Sequence, residues 1–305
     1  MLEMGPGPGG TTVTSNASQT AVDDKRAPTA REIDAFGLSD VGKVRAQNQD
    51  HFLVASLNQT LDVHGTNIVG DDTGLASKVR RGFVMMVADG VGGGVAGEEA
   101  SKTAVRAITR FVTEAMEIYD RGEMSTDVKF ADEMVRAIER AHDAVKDQAE
   151  QDETHRGMAT TLTLVISRWP RLYLVHVGDS RCYRLRNGEL ELLTKDQTMA
   201  QMMVELGKLK PEDVEKSRLK HVLWSALGGS EASPDTLALP IEWTNRMLLC
   251  TDGLTKHVSD DEIKEHLGRD ASSESICRGL VDLALERGGT DNVTVVVVQL
   301  KRDPA

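Results

Sequence analysis

Cysteine is scarce in this 305-residue sequence: Cys182, Cys250 and Cys277 are an odd number and form no C-x-x-C pair. They carry no C-x-x-C metal or redox motif, and a reducing cytoplasm fits. Cys250 closes an apolar run and reads as a small core residue. Long hydrophobic runs are missing too, none approaching the roughly 18 apolar residues of a membrane span. The N-terminus has neither the basic flank nor the apolar centre of a signal peptide. Basic residues are outnumbered, 36 against 48 acidic, for a net charge of -12. That balance argues against nucleic acid or an anionic membrane surface as the main partner. It fits a chain that gathers carboxylates somewhere, although an acidic surface kept for solubility would give the same number.

Hydrophobic residues make up 40% of the chain, and apolar runs extend from about residue 83 to the C-terminus. Residues 1–32 are rich in Gly, Pro, Thr, Ser and Asn and read as a disordered tail. No repeat and no later linker is visible, so one domain is expected over 33–301. Short β-branched runs at 83–88, 161–167, 172–177, 247–251 and 293–300 read as buried strands. Asn187-Gly188 between 182–186 and 189–193 signals a hairpin, because both turn positions tolerate positive φ. Long amphipathic helices are expected at 97–119 and 131–150, joined by a polar turn at Arg121-Gly122. Shorter ones are expected at 198–206, 260–266 and 273–287. Two consecutive helices followed by several strands do not alternate as β-α-β units do. The order suggests antiparallel sheets covered by helices, an α+β fold.

Four aspartates stand at the ends of these strands. Asp89 follows 83–88, Asp179 follows 172–177, Asp252 follows 247–251, and Asp291 shortly precedes 293–300. A lone Asp-Gly is usually a plain turn. An ionised carboxylate at a buried strand end loses solvation, however, and needs compensation. Apart from Arg181, no Lys or Arg lies within two positions of any of the four. If the strand ends converge, bound cations supply the compensation, and all-oxygen donors point to Mg²⁺ or Mn²⁺. The stretch 92–97 matches G-x-G-x-x-G formally. The next element reads as a second helix instead of a returning strand, and Asp89 would repel a pyrophosphate. A turn bringing backbone close to a metal-bound ligand is preferred. Arg45, five residues before Asp50, offers a planar match to phosphate oxygens, but on its own reads as a surface ion pair.

Six segments taken together (39–50, 87–93, 97–101, 177–181, 250–255 and 289–295) resemble the metal-dependent protein phosphatases of type 2C in their bacterial form. The resemblance implies a four-layer α-β-β-α sandwich, two packed antiparallel sheets flanked by pairs of long helices. It implies a binuclear Mn²⁺ or Mg²⁺ centre in which Asp89 bridges both ions and Asp252 and Asp291 complete the first site. Asp50 and the carbonyl of Gly90 would serve the second ion. Asp179 with Asp252 would hold a third, weaker one, and Arg45 would bind substrate phosphate. The implied activity is hydrolysis of phosphoserine and phosphothreonine in proteins by a metal-activated water, without a covalent enzyme intermediate. The implied partners are substrates of a Ser/Thr kinase and the kinase itself, in the cytoplasm. Val91 stands where many eukaryotic members carry a histidine proposed as general acid, and residues 57–82 form a longer insertion than usual. A cysteine phosphatase is excluded, since the sixth residue after each cysteine is Gly188, Lys256 or Leu283 and no C-x5-R loop exists. A catalytically inactive phosphoprotein-binding or scaffold relative is the alternative, and its expected mark, a lost metal aspartate, is absent.

Overall fold

The computed structural model describes residue 28 and residues 32–57, 61–66, 82–120 and 127–302. Nearly all of the expected tail, most of the 57–82 insertion and the turn at 121–122 lie outside these residues. Twelve strands are described: β1 (Ile33–Asp40), β2 (Asp50–Leu57), β3 (Leu61–Thr66), β4 (Gly82–Val91), β5 (Ala159–Thr160), β6 (Leu162–Arg168), β7 (Arg171–Val177), β8 (Arg181–Arg186), β9 (Glu189–Leu192), β10 (Asp235–Pro240), β11 (Arg246–Cys250) and β12 (Val293–Leu300). The helices are α1 (Val95–Asp120), α2 (Asp127–Gln151), α3 (Met199–Glu205), α4 (Asp252–Thr255), α5 (Asp260–Gly268) and α6 (Ser273–Glu286).

The strands form two antiparallel sheets, one ordered β1-β12-β11-β8-β9 and the other β10-β7-β6-β4-β2-β3, with β5 paired to β4. Strand alternation explains why the central runs look uniformly apolar. In β4, Val84, Met86 and Ala88 face α1 and α2, while Phe83, Met85 and Val87 face the opposite sheet. In β12, Val293, Val295 and Val297 meet α5 and α6, and Val296 and Val298 fill the space between the sheets. Both faces are buried, so both parities are apolar.

The helices cover the outer faces with 3.6-residue stripes. Ala96, Ala100, Ala104, Ile108 and Phe111 of α1, with Met134, Ile138, Ala141 and Val145 of α2, join one core. The other pair is shorter, nine residues in α5 and fourteen in α6. Ser259 and Glu262 form a capping box at the start of α5, and Ser272 caps α6 by accepting from Ser275 N. The result is the expected α-β-β-α sandwich. Its chain crosses between sheets in two short links that matter below, residues 41–49 from β1 to β2 and residues 178–180 from β7 to β8.

Candidate metal centre

The strand ends do converge. Asp50, the first residue of β2, is the register partner of Asp89 near the end of β4, so the two carboxylates start on adjacent strands. Asp50 is fully buried, and its Oδ2 accepts from Thr251 Oγ1 at 2.8 Å and from Thr294 Oγ1 at 2.7 Å. Thr251 directly follows β11 and Thr294 lies in β12, so one carboxylate ties the two sheets together. Asp89 N donates to Thr161 Oγ1 at 2.9 Å. Asn292 zips the neighbouring loops: its Oδ1 accepts from Gln49 N, and its Nδ2 donates to the carbonyls of Val41 and Gln47. Backbone crowding explains two glycines. A Cβ on Gly90 would lie 2.1 Å from the Gly97 carbonyl oxygen, and one on Gly253 only 1.9 Å from that of Asn292.

Asp252 opens α4 and Asp291 stands two residues before β12. Lys256 joins them: its Nζ is 2.8 Å from Asp252 Oδ1 and 2.7 Å from Asp291 Oδ2. Arg45, carried on the 41–49 link, adds Nε at 2.7 Å from Asp291 Oδ1 and Nη2 at 2.9 Å from Oδ2. Asp179 sits in the sheet-crossing link, 7% exposed. Together with Asp252 and His221 it forms a group whose ligand atoms all lie within 4.8 Å of one another. No trio containing Asp50, Asp89 or Asp291 is so tight among the described residues. A cleft of about 220 Å³ opens here, lined by Asp179, His221, Asp252, Thr255 and Lys256 among others.

Electrostatics separate these carboxylates into two sets. Burial, then repulsion from Asp50, Asp252, Asp179 and Asp291, holds Asp89 well above the usual carboxylate range. Burial followed by repulsion from Asp252 and Asp196 does the same at Asp179. Burial also raises Asp50, only partly offset by the Thr294 and Thr251 hydroxyls. Asp291 is the opposite case. Burial pushes it up, but hydrogen bonds from Arg45 and Lys256 outweigh that and hold it below the ordinary value.

All seven site positions read from the sequence therefore fall in one region. Arg45 contacts Asp291, which its sequence context did not suggest. Arg181 is committed elsewhere, with Nε and Nη2 at 2.9 and 2.8 Å from Asp196. The glycine-rich turn is gripped by Gln49 Nε2, which donates to the carbonyls of Gly92 and Gly94 at 2.9 and 2.6 Å, and the next described element after α1 is α2, with no parallel strand among the described residues. Dinucleotide binding is thereby ruled out as the use of that motif. His51 faces away from the cleft, its Nδ1 2.9 Å from Ser101 Oγ. His176 is a core histidine between Thr163 Oγ1 and the Lys195 carbonyl. Two residues escaped the sequence reading. Lys256 had a usable signal, since position i+4 from Asp252 in a helical turn faces the same way. His221 had none, because only the tertiary fold brings it to Asp252, at 3.7 Å.

The donor set suits hard divalent ions. Five carboxylates and the Gly90 carbonyl supply only oxygen, and three of the carboxylates are pushed up by burial and by one another. Lys256 and Arg45 pair with two of the five acids, Asp252 and Asp291. Fold and centre together define a sandwich with a carboxylate cage at the sheet-crossing edge. A family model described as Protein phosphatase 2C matches residues 64–282. The chain belongs to the protein phosphatase 2C family. It is 38% identical over 217 residues to the serine/threonine protein phosphatase PstP of Mycobacterium tuberculosis (strain CDC 1551 / Oshkosh). That match covers 71% of this chain and 40% of the relative's length. Among solved structures, the serine/threonine phosphatase of S. agalactiae superposes with a TM-score of 0.74 at 26% identity, covering 88% of this chain and 100% of the other. The catalytic domain of PstP in complex with two manganese ions gives 0.67 at 32% identity, covering 88% and 99%.

Proposed function

We propose that this chain is a metal-dependent serine/threonine protein phosphatase whose catalytic domain spans residues 33–301. The observation that carries the reading is the convergence of Asp50, Asp89, Asp179, Asp252 and Asp291, with Arg45, at one edge of the sandwich. β1 begins at Ile33 and pairs with β12, which ends at Leu300, and this supports the boundaries. The PstP catalytic domain carries two manganese ions, and the oxygen donors here suit Mn²⁺ or Mg²⁺. A pair of such ions lowers the pKa of water and neutralises charge on phosphoryl oxygens.

The chain's own residues do the rest. Asp89 would hold both ions, Asp252 and Asp291 would complete the first site, and Asp50 with the Gly90 carbonyl would hold the second. Thr251 and Thr294 fix the Asp50 carboxylate, so its free rotation is lost before any ion arrives. Asp179 and Asp252 would hold a third, weaker ion, and His221 lies within ligand reach of both. Arg45, half exposed and paired with Asp291 through Nε and Nη2, would exchange that carboxylate for the substrate phosphate and orient it for in-line attack. No histidine occupies the position of Val91, and 43% of that side chain is open to solvent.

The substrates are phosphoserine and phosphothreonine proteins, including targets of a Ser/Thr kinase and the kinase itself. No helix among the described residues is long and apolar enough to cross a membrane. Three buried free cysteines accord with a cytoplasmic setting. The test is hydrolysis of p-nitrophenyl phosphate and a phosphothreonine peptide, with Mn²⁺ and with EDTA. Turnover of both, abolished by EDTA, is expected. Phosphopeptide binding without turnover in Mn²⁺ would instead establish the inactive scaffold.

A further inference from the structure

Lys256 has no part in the reading above, yet it sits at the heart of the centre. Its Nζ lies 2.8 Å from Asp252 Oδ1, 2.7 Å from Asp252 Oδ2 and 2.7 Å from Asp291 Oδ2. The geometry follows from local structure. Lys256 is the C-cap of α4 with φ -63° and ψ -25°, and its N–H donates to the Asp252 carbonyl. Its side chain therefore rises over Asp252 one turn earlier, and the approach of β12 brings Asp291 to the same nitrogen. An ordinary surface pair at i,i+4 touches one carboxylate in open water. This ammonium touches two, from different elements, and is 22% exposed.

We propose that Lys256 is an internal competitor for the divalent ion at Asp252 and Asp291, so that metal uptake there requires its ammonium to leave. The inference rests on reading those two aspartates as metal ligands. A monovalent and a divalent cation cannot share the same carboxylate oxygens without strong repulsion. The chain thus carries its own charge compensation for these two acids. Metal binding at the first site is then weaker than its carboxylates alone would give, and is coupled to movement of the Lys256 side chain.

Two measurements test this. Mn²⁺ affinity is obtained from the free-ion electron paramagnetic resonance signal for the wild-type chain, Lys256→Gln and Lys256→Arg. The glutamine variant should bind Mn²⁺ about tenfold more tightly, and the arginine variant, which keeps the charge, should stay near the wild type. Equal or weaker affinity in the glutamine variant overturns the proposal. The second measurement needs no variant: acylation of Lys256 by an amine reagent, followed by mass spectrometry, should be faster in saturating Mg²⁺ than in EDTA. An unchanged rate overturns it as well. If neither wild type nor the glutamine variant takes up any Mn²⁺, the metal-centre reading fails and the proposal with it. Equal uptake by both removes only the proposal.

Discussion

At the scale of single residues, the centre is governed by which carboxylates have a cation of their own. Asp252 and Asp291 have Lys256 and Arg45, while Asp89 and Asp179 face mainly other acids. Asp89→Asn removes an anion from the middle of the set, and Asp252→Asn removes one that the proposed reading gives to two metal sites. Changes to groups that merely support metal ligands cost roughly 10–100-fold, so each of these should lower turnover by more, with the fold intact by circular dichroism. Near-normal turnover in either variant would refute that residue's role. Arg45→Ala should raise KM for a phosphopeptide and lower kcat less, because the guanidinium meets phosphate in both ground and transition states. Arg45→Lys should recover part of the loss, since it restores charge without the fork. Unchanged kinetics in both would make Arg45 an ion-pair residue for Asp291 alone.

At the scale of elements, the β2–α1 contact supplies a test of stability. His51 is buried against α1 beside Ser101, and burial, with Lys102 nearby, depresses its pKa to about 4. A base with a depressed folded pKa contributes stability above its unfolded pKa, near 6.5, that is lost as pH falls toward 4. The stability of wild type relative to His51→Gln should therefore fall across that window, by on the order of 3 kcal/mol. Denaturant titrations at several pH values would show it, and a pH-independent difference would contradict it. Most elements were legible beforehand because their periodicity is strong. The strand at 293–300 is identical to β12, and 97–119 and 131–150 lie inside α1 and α2. Two of the strands left unread, β1 and β10, share a cause. β10 is mostly exposed and ends in Pro240, and β1 is only half-buried and contains Gly37, so neither shows an apolar run. α4 is four residues long, too short for any helical period, and its Asp-Gly start reads as a turn.

At the scale of the whole molecule, the centre is a cost to the fold that ions relieve. Asp50, Asp89 and Asp179 hold protons more tightly in the metal-free folded chain than when unfolded, because burial and mutual repulsion disfavour their anions. Stability of the metal-free protein should thus fall as pH rises above the ordinary carboxylate range, near 4. Divalent ions favour the ionised form, so stabilisation by Mg²⁺ should grow with pH. Thermal unfolding in Mg²⁺ and in EDTA between pH 5 and pH 8 would show a widening gap, and a constant gap would argue against carboxylate ligation. The sequence by itself determined the antiparallel sheets under helices and the strand-end aspartates, because two-sided burial writes apolar runs and a carboxylate can end such a run only at an edge; the four-layer order came through the family resemblance. It also carried Arg45 and Asp50 through their motif. Only the tertiary structure decided what meets those carboxylates. Lys256 reaches Asp291 because β12 returns beside α4, Arg45 reaches it through the link between sheets, and His221 arrives from the segment after α3. Each of these contacts spans tens to hundreds of residues in sequence, and no local spacing records which strand ends the packing of two sheets will bring together.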